Sequence, residues 1–74
     1  MDKSVFEVIL TKASVMLGFD KAKYDFECVE YEGVYVSSDG KKVTVGGSQT
    51  TDFFRAFMLF VNEIKKGNSE FEIS

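Results

Sequence analysis

Three carboxylates, Glu27, Glu30 and Glu32, fall close together in "DFECVEYEG", with Cys28 among them. Paired acids serve general acid/base chemistry only when they converge on one reacting bond. In a strand, however, successive side chains leave on opposite faces, so this spacing describes a solvated edge and no catalytic role is assigned to it. Cys28 has no adjacent base or cluster of positive charge to make it a thiolate, and it reads as a half-buried structural thiol. Asp39-Gly40 lacks the alternating acids and terminal Glu of a calcium loop and reads as a turn. Gly46-Gly47-Ser48 precedes a helix but lacks the spacing and the lysine of a phosphate-binding loop. There is no histidine, which excludes the ordinary zinc spacings and any Ser-His or Cys-His nucleophile pair. No cofactor, metal or catalytic residue is therefore expected from the residues themselves.

The totals set the scale of what could position such groups. A chain of 74 residues is one small domain, and its eight phenylalanines supply the dense interior that so small a fold needs. Nine basic residues against twelve acidic ones give a net charge of −3, with no basic patch for a nucleic acid. A lone cysteine gives no internal disulfide. No apolar run is long enough for a membrane span and no signal peptide is evident, which favours the cytoplasm.

Wrapped at about 100° per residue, Ser4 to Leu17 places Phe6, Ile9, Leu10, Ala13, Met16 and Leu17 on one arc, with Glu7, Thr11 and Ser14 opposite. Ser4 and Glu7 have the spacing of a capping box, and Gly18 suits the left-handed end. Val8 and Val15 fall off the arc and call for a second contact.

From Tyr24 to Val45 the period becomes two. Asp39-Gly40 predicts a two-residue type I′ hairpin that pairs Ser38 with Lys41, Val36 with Val43 and Val34 with Val45, all four valines on one face. Upstream, "YDFECVEY" is expected to pair with the first hairpin strand through Glu32-Gly33, opposing Tyr31 to Val34 and Val29 to Val36. A second helix, capped by Ser48, Thr50 or Thr51, runs to about Lys66 and ends at Gly67-Asn68. Phe53, Phe54, Phe57, Phe60, Val61 and Ile64 form its apolar arc, while Met58 and Leu59 land among polar residues. "EFEIS" is a short strand, expected parallel to a hairpin strand after a helical crossover. The order α-β-β-β-α-β defines an α+β two-layer sandwich: a four-stranded, mainly antiparallel sheet with both helices on one face.

The arrangement "VYVSSDGKKVTVGGSQTTDFFRAFMLFVNEI…SEFEIS" resembles the N-terminal domain that precedes the catalytic barrel in glycoside hydrolase family 20, the β-N-acetylhexosaminidases. The likeness rests on a strand, a "DG" turn, a second strand, a small polar loop and a helix of the type "xxFFRAxxLLxxxL", here "DFFRAFMLFVNEI" from Asp52. The opening helix ending in "LGFD" also fits. The resemblance implies a non-catalytic accessory domain supporting a (β/α)₈ barrel of the same polypeptide. That barrel carries the retaining, substrate-assisted hydrolysis, and the family's catalytic signature has no counterpart here. On this reading the 74 residues are one domain excised from a longer enzyme. The expected contact with the barrel draws on Met58 and Leu59, or on a sheet face bearing Phe26 and Tyr35. Two rivals remain: a carbohydrate- or protein-binding module whose sheet displays Tyr24, Phe26, Tyr31 or Tyr35, and a free-standing protein that homodimerises through a strand or helix surface.

Overall fold

A computed structural model describes all 74 residues. Helix α1 (Lys3–Leu17) is followed by a single 3-10 turn at Lys21–Lys23. Strands β1 (Asp25–Glu30), β2 (Tyr35–Asp39) and β3 (Lys42–Gly47) come next, then helix α2 (Thr50–Lys65) and strand β4 (Glu70–Ile73). The expected α+β sandwich is present: one four-stranded sheet carries both helices on a single face, over a core of twelve apolar residues.

The cap of α1 lies two residues earlier than the spacing predicts. Asp2 takes that place, its carboxylate accepting from the Ser4 N–H at 3.2 Å, so Ser4 is already inside the helix. At the other end Gly18 adopts φ 75°, and the Phe19 N–H reaches back to the Ser14 carbonyl at 3.1 Å. This reversal drops Phe19 into the core, where its ring centroid lies 5.6 to 6.0 Å from those of Phe26, Phe57 and Phe60. Phe19 thus fills the space expected of Met16, and Met16 is left exposed.

Helix α2 begins at Gln49 rather than at a serine or threonine. The Asp52 carboxylate turns back to accept from the backbone N–H groups of Ser48 and Gln49, at 3.2 and 3.0 Å. An acid in the first turn also complements the helix dipole. The far end closes on Gly67 at φ 88°, with the Asn68 N–H on the Glu63 carbonyl and the Gly67 N–H on the Ile64 carbonyl.

The sheet order is β1-β3-β2-β4, and here the structure departs from the expected pairings. The β2–β3 hairpin is antiparallel as read, but its register is Asp39 with Lys42, Ser38 with Val43 and Val36 with Val45. The loop is Gly40-Lys41, with positive φ at Gly40 alone, which is the II′ pattern. The register differs from the expected one by two residues, an even step, so the valines keep the core face.

Strand β1 does not pair with β2. It lies parallel to β3, Phe26 beside Val43 and Cys28 beside Val45, so β3 is inserted between two strands that follow one another in sequence. Strand β4 is hydrogen-bonded antiparallel to β2. Because β3 is also antiparallel to β2, β3 and β4 run in the same direction, and α2 crosses over the strand between them. Two of the three pairings are antiparallel and one is parallel.

Residues in register form two inward rows: Phe26, Val43, Ser38, Phe71 and then Cys28, Val45, Val36, Ile73. In the first row the middle pair is small and the outer pair aromatic. Phe60 of α2 sits over that row, its centroid 5.5 Å from Phe26 and 6.3 Å from Phe71. The buried Ser38 hydroxyl donates to the Gly40 carbonyl at 3.3 Å, so no polar group is left unpaired beneath the ring. Phe60→Ala is expected to cost about 3–5 kcal/mol and Met58→Ala less than about 0.5 kcal/mol, measured by urea unfolding followed by circular dichroism.

Candidate functional site

The acidic residues do not converge. Glu27 lies on the open sheet face in an ion pair with Lys42 at 3.3 Å, and Glu30, one face over, is exposed 3.9 Å from the Met1 ammonium. Glu32 is exposed in the link between β1 and β2. No group of three or more His, Cys, Asp or Glu side chains could hold a metal ion. The largest depression, of about 470 Å³, is open and lined by Met1, Glu30, Tyr31, Glu32, Gly47 and Ser48; its two carboxylates and the Ser48 hydroxyl have no histidine or metal-binding cluster beside them. No helix is long and apolar enough to cross a membrane.

Cys28 is half-buried on the inner face of β1, against the core. Burial pushes its thiol above the ordinary value; the nearby Met1 ammonium pulls it down and Glu30 pushes it up, with burial dominant. A raised value means less thiolate at any given pH, the opposite of what a nucleophile needs.

Of the residues expected to form an interdomain contact, two are placed otherwise. Phe26 faces inward, in edge-on contact with Phe57 and Phe60, because its strand pairs with β3 in a register that aligns it with the core residue Val43. Tyr24 joins it, at 5.0 Å and perpendicular to Phe60. Leu59 packs against the core, whereas Met58 stays exposed. Tyr35 is on the open face as read, and its hydroxyl donates to Glu72 Oε1 at 3.3 Å.

The open face has one built feature. Tyr31, from the β1–β2 link, and Tyr35, from β2, stack with centroids 5.0 Å apart and planes 34° apart. Between them lies Gly46 of β3, at which a Cβ would stand 2.8 Å from Tyr31 Cβ, 3.0 Å from Val29 Cγ2 and 3.3 Å from Tyr35 Cβ. The absence of a side chain at Gly46 is what lets the pair close over the strand. Around it the sheet carries Val29, Thr44, Ser37 and Glu72. Both tyrosines stand out in the sequence, but the feature that joins them, Gly46, belongs to β3 and not to the small polar loop that Gly46-Gly47 resembles.

No family model, no curated protein and no solved structure matches this chain.

Two outcomes follow from this geometry. Gly46→Ala is expected to destabilise the fold by about 1–3 kcal/mol through overpacking and to separate the tyrosine pair, read by urea unfolding and near-ultraviolet circular dichroism. Cys28 is expected to react with a disulfide reagent more slowly than free cysteine at pH 8, gaining only as pH rises past the ordinary thiol range; a rate matching free cysteine at neutral pH would contradict its burial.

Proposed function

We propose that this chain is a non-catalytic accessory domain that packs against a (β/α)₈ barrel of the β-N-acetylhexosaminidase type, and that the barrel does the chemistry. The reading draws its family from the sequence pattern, in which the segment from Asp52 to Ile64 seats Phe53, Ala56, Phe57 and Phe60 in the core and leaves Arg55 and Met58 outside. The observation that carries it is the Tyr31–Tyr35 pair locked over Gly46 on the open sheet face, beside Val29. Paired aromatics with a fixed seat are a contact surface of small conformational cost, the kind that a neighbouring domain covers. Of the four residues expected at that contact, Met58 is exposed and Tyr35, half-buried, lies on the open sheet face, with the exposed Tyr31 beside it.

The second reading, a sugar-binding module, draws on the same tyrosines. A sugar stacks on a free ring face, and here the two rings spend one face each on one another. That arrangement favours protein docking over glycan binding.

The test uses the chain with a family 20 barrel stripped of its own N-terminal domain. Adding the chain is expected to raise the thermal midpoint of the barrel, and Tyr31→Ser with Tyr35→Ser to remove the effect. The chain alone is expected to leave a chromogenic N-acetylglucosaminide intact. Turnover by the chain alone, or an unchanged barrel, would sink the proposal; amide shifts at the tyrosines on titrating an N-acetylglucosamine oligomer would replace it with the glycan reading.

A further inference from the structure

Helix α1 is apolar on more of its circumference than its own fold uses. Phe6, Ile9, Leu10 and Ala13 are buried. Beside them, Val5, Val8, Val15 and Met16 are 46%, 55%, 79% and 73% exposed. Val5, Val8, Lys12 and Val15 follow one another at intervals of three, four and three residues, the a/d alternation of a helix that packs along another helix, and Met1 extends the spacing at its start.

We propose that this stripe is a self-association surface, and that its occupant is α1 of a second copy of the chain, lying antiparallel across a two-fold axis level with Leu10. This goes beyond the accessory-domain reading and uses the opposite side of the molecule from the tyrosine pair. In that register Val5 of one copy is level with Val15 of the other, and Val8 with Lys12. Lys12 therefore lays its methylene stem over a valine and sends its ammonium out to water. A parallel pair would instead set Lys12 against Lys12.

Area and charge select this arrangement. Val5, Val8, Val15 and Met16 together expose on the order of 400 Å² of side chain, the size of the largest patch on a typical monomer. Two such faces with their polar margins bury on the order of 1,000 Å², enough for a specific contact and short of the roughly 1,600 Å² of a standard stable complex. An interface of that size places the pair among reversible associations. The alternative route, joining sheet edges, is opposed by like charge: β1 carries Asp25, Glu27 and Glu30, and β4 carries Glu70 and Glu72.

Sedimentation velocity from about 10 µM to about 1 mM is expected to show a monomer passing into a dimer and stopping there. Val8→Lys with Val15→Lys is expected to hold the chain monomeric over that range with its circular dichroism unchanged. Val15→Lys alone, at the most exposed of the four positions, gives the same readout should the double variant fold poorly. Orientation is read by oxidative cross-linking: Val5→Cys mixed with Val15→Cys is expected to link faster than either variant with itself. A chain that stays monomeric at the top of the range, or lysine variants that associate as the parent does, would overturn the proposal. Faster linking of Val5→Cys to itself would overturn the antiparallel arrangement.

Discussion

The seating of Phe60 on the row Phe26, Val43, Ser38, Phe71 is the contact on which the rest of the fold depends. An aromatic ring laid across a sheet needs small residues below it and large ones at its sides, and the row supplies them in that order. The ring reaches both sheet edges, so it ties β1 and β4 to the same helix although they are the strands farthest apart. Phe57 and Phe53 extend the contact toward α1 through Phe6, at 6.0 and 5.8 Å. Eight phenylalanines in a chain this short serve such reach: one ring bridges elements that would otherwise need several aliphatic side chains.

The insertion of β3 between β1 and β2 follows from where charge is tolerable. Strands β1 and β4, with three and two acids respectively, suit edges, where carboxylates stay in water and discourage further pairing. Strand β3 has only Lys42 as a charge, and its last five residues are at least partly buried. The cost is that the β1–β2 link must cross the end of β3. It does so at Gly46-Gly47: Tyr31 presses on the first, and the Gly33 carbonyl lies 3.4 Å from where a Cβ of the second would stand. Two glycines at a strand end mark a crossing of chain over chain.

How much of this the sequence discloses depends on the range of the interaction. Helix periods, the Gly18 and Gly67 ends, a tight bend at Gly40 and the shared face of the valines are local, and they are legible from spacing. The hairpin register escapes by two residues because a I′ loop at Asp39-Gly40 and a II′ loop at Gly40-Lys41 place the same side chains on the same face. The parallel β1–β3 pair escapes because neighbours in sequence are the usual neighbours in a sheet. The acids of β1 mark a solvated edge in the sequence, but an edge position alone does not say which strand lies beside it. The tyrosine pair was half legible: Tyr35 announced itself by alternation, but Tyr31 reaches it only through the crossing link.

The valines of α1 carry a separate argument about selection. Valine is a poorer helix former than alanine by up to about 0.7 kcal/mol, because its branched Cβ loses rotamer freedom against the preceding turn. At a buried position packing offsets that loss. At Val15 almost no packing within the chain does so, and at Val5 and Val8 about half of the residue is still in water. Lysine, glutamate or alanine there would make a better isolated helix and a more soluble surface. A second helix laid along that flank, as proposed above, would offset this loss at three β-branched positions at once, two of them framing Lys12 at heptad spacing.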